Sequence, residues 1–145
     1  MIRDQVVAEA ESWLRTPYHS CARIKGAGVD CAQFPAAVYE STGLIPKLDL
    51  DYSPEWYMHQ DEERYLRWVF PYSTEITREE LLPGDFAIWK FGRTYSHGAI
   101  VIDKPTIIHA TLLGGCVHYG NMDVDDDLLT RKSRYFRMTG IDDGR

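Results

Sequence analysis

A chain of 145 residues, 44% hydrophobic and 12% aromatic, makes one globular domain with a real core, too short for two and too apolar for disorder. Its net charge of −6 excludes a general nucleic-acid binder, which carries basic patches. No apolar run approaches the length of a membrane span, and Met1-Ile2-Arg3-Asp4 does not open a signal peptide, so synthesis in the cytoplasm is expected. The acidic clusters Asp61-Glu62-Glu63, Asp123 to Asp127 and Asp142-Asp143 read as solvated surface, because none has EF-hand spacing. Cys21, Cys31 and Cys116 are an odd set without an export signal, so free thiols are expected.

In chain order, Val6, Val7, Ala10, Trp13 and Leu14 share one face of a helix predicted over Asp4 to Leu14, with Asp4 as cap and Thr16-Pro17 as its stop. Tyr18 to Val29, with Gly26 and Gly28, reads as a loop leading to Cys31. A second helix is predicted from Cys31 to Ser41, ended by Gly43. Prolines, aromatics and acids then dominate, and a segment at about 44–75 reads as an insertion folded on the domain, with a helix from His59 to Phe70. Thr77 to Leu82 reads as a short helical turn and Pro83-Gly84-Asp85 as a tight turn into a strand.

From there the period shortens. Phe86 to Phe91, Gly98 to Ile102, Thr106 to Ala110, Gly115 to Tyr119 and Tyr135 to Met138 are short strand-like runs between turn residues. Helices first and strands later, with links too short for parallel crossovers, give an α+β fold with an antiparallel sheet.

Chemistry concentrates at Asp30-Cys31. A cysteine at a helix start sits at the positive end of the backbone dipole, where thiolate is favoured over thiol. A thiol nucleophile needs a base, and the base an orienting partner, near in space and distant in sequence. His97 in Ser96-His97-Gly98-Ala99 and His109 in Ile107-Ile108-His109-Ala110 sit in consecutive strands. A turn near Asp103-Lys104-Pro105 brings them to the same end of the sheet, although register decides whether both face Cys31. The same three residues suit zinc, but no Cys-x-x-Cys or His-Glu-x-x-His spacing supports a metal site, and no cofactor is expected.

Thr16-Pro17-Tyr18, Gly28-Val29-Asp30-Cys31-Ala32, Pro83-Gly84-Asp85, His97-Gly98-Ala99-Ile100-Val101 and Ile108-His109-Ala110 occur in an order that resembles NlpC-type peptidases, the papain-like cysteine hydrolases of bacterial peptidoglycan. The resemblance covers nearly the whole chain. Tyr52-Ser53-Pro54-Glu55-Trp56 and Glu63-Arg64-Tyr65-Leu66 look most like the phage and gene-transfer-agent subgroup.

The resemblance implies a single papain-like domain over 1–145, with N-terminal helices on a five- to six-stranded antiparallel sheet. It implies Cys31 as nucleophile, His97 as base and His109 as the group orienting it. Tyr18 corresponds to the tyrosine beside the nucleophile, and the Asp30 backbone N–H to an oxyanion donor; an aromatic packed under the loop and a plain helix cap are their structural alternatives. The implied substrate is a peptidoglycan stem peptide, cut at the γ-D-glutamyl–diamino acid bond through a thioester. Phage or gene-transfer-agent tail proteins are the expected partners, with delivery to the wall in a phage-like particle or by lysis. Another cysteine amidase or acyltransferase on the same fold, or a non-catalytic tail component, stands as the alternative.

The chain departs from the family where Ala32-Gln33-Phe34-Pro35 replaces the usual Ser-Gly or Ala-Gly after the cysteine. Pro35 removes a backbone donor and is expected to leave the Cys31 carbonyl free, and Gln33 adds bulk. Arg23 or Lys25 are candidates to meet a substrate carboxylate, and an Asp or Glu near the cleft to hold an amine. His19 is a cleft-lining candidate beside its plainer reading as an exposed loop residue. Cys21, Cys116, His59 and His118 carry no assigned role.

Overall fold

A computed structural model describes residues 1–50, 52 and 63–143. The chain begins with α1 (Ile2–Ser12). A two-stranded ribbon, β1 (Arg23–Ile24) and β2 (Gly28–Val29), leads into α2 (Gln33–Ser41). After α3 (Arg64–Val69) come β3 (Ser73–Ile76), β4 (Phe86–Phe91), β5 (Thr94–Asp103), β6 (Thr106–Thr111) and β7 (Cys116–Asn121). The short α4 (Asp126–Leu129) precedes β8 (Ser133–Met138). The main sheet is antiparallel in the order β3-β8-β4-β5-β6-β7, the α+β arrangement expected.

Its strands are covered on both faces. On one, α1 and α2 press Ile2, Val6, Ala10, Phe34 and Val38 onto Phe86, Ile88, Ile100, Ile108 and Phe136. On the other, Ala87, Trp89, Ala99, Val101 and Ile107 meet Leu81, Met122 and Leu128. Double burial explains why β4 and β5 read as continuous apolar runs instead of alternating ones.

Several boundaries differ from the sequence expectation. α1 starts at Ile2 instead of being capped by Asp4, which lies in its first turn. It ends before Thr16-Pro17, because Arg15 takes a left-handed conformation (φ 71°) and donates its N–H to the Val117 carbonyl at 2.8 Å. β3 lies inside the segment read as an insertion, and its polar sequence Ser-Thr-Glu-Ile fits an edge strand that pairs only with β8. Of the helix expected from His59 to Phe70, α3 covers Arg64–Val69 and starts after the non-helical Glu63; positions 59–62 of that expectation lie outside the described residues. From α3, Tyr65, Leu66 and Val69 enter the main core, and from the rest of that segment Leu44, Ile45, Leu50 and Tyr52 pack against it. The turn at Thr77 is a 3-10 helix with a reciprocal Thr77–Glu80 capping box.

The Pro83-Gly84-Asp85 turn does more than redirect the chain. Asp85 is fully buried, and its carboxylate accepts from Arg3 at 3.0 Å and Arg137 at 2.9 Å. A buried carboxylate is tolerable only when paired in this way. Arg3 also bonds Asp142 at 2.6 Å, tying α1 and the segment after β8 to the turn that precedes β4.

Candidate active site

The turn carrying Cys31 is organised by Asp30. Its Oδ1 accepts the N–H groups of Ala32 at 3.0 Å and Gln33 at 2.8 Å, and its carbonyl accepts the Phe34 N–H at 3.0 Å. Asp30 therefore caps the helix although regular α-helix begins only at Gln33, and Cys31 lies in the entry turn. The other carboxylate oxygen accepts the Cys21 N–H at 2.7 Å and the Tyr52 hydroxyl. The plain cap reading of Asp30 thus holds. Its own N–H donates to no backbone acceptor among the described residues.

Pro35 removes the rung that would have closed onto the Cys31 carbonyl. Tyr65, arriving from α3, fills the place: its hydroxyl donates to that carbonyl at 2.8 Å. Gln33 does not enter the cleft but accepts from Arg23 at 2.8 Å, and Arg23 also pairs with Glu40 at 2.5 Å. Lys25 pairs with Glu9 at 2.9 Å. Both basic residues offered for a substrate carboxylate are thus engaged in structural pairs.

Cys31 Sγ reaches β5 on either side of His97. It lies 3.4 Å from the Ser96 carbonyl, and the Gly98 N–H and the Tyr18 hydroxyl also bond the sulfur. Tyr18 is positioned by the loop, since its N–H bonds the Gly115 carbonyl at 2.8 Å and its backbone bridges to Val29. His97 packs beside Trp89 and Phe91, and its Nε2 lies 2.8 Å from His109 Nδ1. The register Ile100↔Ile108 sets His109 across from Ala99, one same-face step from His97. No hydrogen bond joins Cys31 to His97 among the described residues; the thiol donates to Ser96 instead.

Burial dominates the electrostatics. It pushes the Cys31 thiol up to about 12, with the Asp30 charge adding to it, while the Tyr18 hydroxyl and Gly98 N–H act in the opposite direction. The dipole-stabilised thiolate expected from the sequence is therefore replaced by a protonated thiol at rest. His97 is lowered to about 4, first by burial and then by His118 and Arg131. His109 is lowered to about 2, by burial, His97 and His118. The resting site is a neutral thiol beside two neutral imidazoles.

Sequence reasoning missed Tyr65, Tyr52 and His118. His118 pairs directly with His109 across β6 and β7, and their ring centroids are 4.8 Å apart. Thr111 Oγ1 and the Tyr119 carbonyl, at 2.7 and 2.9 Å, occupy its two ring nitrogens. The Thr-x-x-x-x-x-x-His spacing across a hairpin carries no recognisable signal. Along this face runs a cleft of about 990 Å³, lined by His97, His109, His118, Leu112, Leu113 and Asp125 to Asp127 among others. Cys21 and His19 are exposed, Cys116 is partly buried in β7, and His59 lies outside the described residues. Among the described residues no three of His, Cys, Asp and Glu converge in metal-holding geometry, and no helix is long and apolar enough to cross a membrane.

No protein-family model and no curated protein sequence matches the chain. Solved structures do. The NlpC/p60 domain of the peptidoglycan hydrolase SagA superposes with a TM-score of 0.63 at 21% identity, over 91% of this chain and 96% of that one. NlpC2 from Trichomonas vaginalis gives 0.71 at 13% identity over 94% of this chain, which spans 46% of NlpC2. RipD from Mycobacterium tuberculosis, described as a non-catalytic NlpC/p60 domain protein adapted to peptidoglycan binding, gives 0.64 at 14% identity, over 94% of this chain and 97% of that one.

Proposed function

We propose that this chain, which has the NlpC/p60 papain-like fold, is a Cys31-dependent hydrolase of peptidoglycan stem peptides. The observation that carries the reading is the convergence of Cys31 Sγ on the β5 backbone flanking His97, 3.4 Å from Ser96, with the His97–His109 pair closed at 2.8 Å. His97 Nε2 is committed to His109, so Nδ1 is the nitrogen that takes the thiol proton. A side-chain rotation of Cys31 off Ser96 starts the reaction. Sγ attacks the scissile carbonyl as the proton moves to Nδ1, so that charge develops during attack instead of existing beforehand. The Asp30 N–H and the Tyr18 hydroxyl face the oxyanion. His97 then returns the proton to the leaving amine, and water hydrolyses the thioester.

The γ-D-glutamyl–diamino acid bond is the proposed target, and delivery in a phage-like particle belongs to the same proposal; absence of the protein from purified particles would count against that route. A binding role is the second reading. It is favoured by the thiol resting on Ser96 without a bond to His97, and by the likeness to RipD.

Digestion of purified muropeptides by wild type and C31A under reducing conditions, with products identified by mass spectrometry, separates the two. Cleavage by wild type alone is expected, and the products name the bond. Cleavage by both proteins refutes Cys31 as nucleophile. Retention of muropeptides by both, without cleavage by either, establishes the binding reading.

A further inference from the structure

Across the described residues only two buried side-chain polar atoms lack a partner, and one is His109 Nε2. His109 is 4% exposed, so water reaches this atom poorly. The proton arithmetic of the site makes the atom a donor. If His97 receives the thiol proton on Nδ1, its Nε2–H donates to His109 Nδ1, and His109 must carry its own proton on Nε2. A buried N–H of this kind calls for an acceptor.

The acceptor stands across a small space beside Gly120. A Cβ on Gly120 would lie 2.6 Å from His109 Nε2 and 2.9 Å from Asp125 Oδ2. The imidazole nitrogen and the carboxylate thus flank one point of β7, and that point stays open because residue 120 has no side chain. Asp125 is held there by its turn: Oδ2 accepts the Asn121 N–H at 2.9 Å, and its carbonyl accepts the N–H groups of Leu128 and Leu129 at 2.9 and 3.1 Å. His118, the other neighbour, has both ring nitrogens occupied.

We propose that Asp125 is a positioning residue for the histidine pair, its carboxylate facing the His109 Nε2–H across the gap beside Gly120 and so favouring the tautomer that leaves His97 Nδ1 free for the thiol. This rests on the reading of Cys31 and His97 as nucleophile and base. The groups facing the pair are His118 from β7, Arg131 after α4 and Asp125 before it. His118 and Arg131 oppose a positive charge on His97, and Asp125 offsets them as the proton passes from Sγ to Nδ1 and back to the leaving group.

The test uses alkylation of Cys31 by iodoacetamide, read on the Cys31 peptide by mass spectrometry, because it needs no peptidoglycan. D125N keeps an acceptor for the Asn121 N–H but loses the charge. It is expected to alkylate about tenfold more slowly at neutral pH, the effect of one carboxylate acting at a screened distance, with an unchanged melting temperature. D125E restores most of the rate, and G120A, which fills the space, slows it as D125N does. Nitrogen-15 NMR of the wild type is expected to find the His109 proton on Nε2. Wild-type alkylation by D125N, or a His109 proton on Nδ1, overturns the proposal; the NMR result decides it even if a variant fails to fold. Slowed alkylation in D125N without muropeptide cleavage by the wild type upholds this inference and refutes the hydrolase reading, whereas cleavage with unchanged alkylation does the reverse.

Discussion

Pro35 and Tyr65 form a pair that one set of variants can isolate. Proline at position 35 deletes the N–H that would have bonded the Cys31 carbonyl, and the Tyr65 hydroxyl bonds it at 2.8 Å instead. Y65F removes that donor but keeps the ring, whose packing on Trp68 and Phe86 (centroids 5.9 and 5.8 Å) should persist. A fully buried carbonyl without a partner costs about 1–3 kcal/mol, and this one is part-buried, so Y65F is expected to be destabilised by an amount at the lower end, about 1 kcal/mol. In a P35A background the restored N–H satisfies the carbonyl, and the cost of Y65F should fall by about half or more, a coupling on the order of 1 kcal/mol. Urea denaturation of wild type, Y65F, P35A and the double variant measures it. Equal costs of Y65F in both backgrounds would show that the hydroxyl does not stand in for the missing N–H. Because the carbonyl belongs to Cys31, the alkylation rate of the thiol should follow the same pattern.

Two further outcomes follow from the packing and charge of the site. A Cβ at Gly98 would lie 2.3 Å from the Tyr65 hydroxyl and 2.6 Å from Phe86, so G98A should lose about 1–3 kcal/mol through overpacking and slow Cys31 alkylation; a wild-type melt and rate would refute the packing. His97 and His109 have native values of about 4 and 2 against an ordinary 6.5, so the unfolded chain binds protons below that value while the native chain does not. Their contribution is therefore complete above pH 6.5 and is lost as the pH falls, at about 1.4 kcal/mol per pH unit for each histidine. It levels off first for His97 near pH 4. Urea unfolding at neutral and mildly acidic pH should show this decline, and H109Q should flatten it; an unchanged slope in H109Q would sink the assignment.

Much of this molecule is legible in its sequence because the signals are local. The Asp30-Cys31 turn, the Pro83-Gly84-Asp85 turn and the short helical turn at Thr77 are set by residues a few positions apart, where covalent geometry and short hydrogen bonds decide. The α+β order followed from the change of period along the chain, and even the vacant Cys31 carbonyl followed from Pro35 alone. What filled it did not, since Tyr65 comes 34 positions away on a helix whose placement is a matter of core packing. β3 escaped notice because a polar edge strand has no hydrophobic alternation to read. The protonation state of Cys31 was decided by tertiary structure against the local expectation: a helix start favours thiolate, but burial of the sulfur against β5 outweighs the dipole. The gap beside Gly120 and the approach of Asp125 to His109 likewise depend on strand register and on where the α4 turn lands. Sequence specifies which groups the chain carries and how each turn is built; desolvation and distance, which set what those groups do, exist only once the layers have closed.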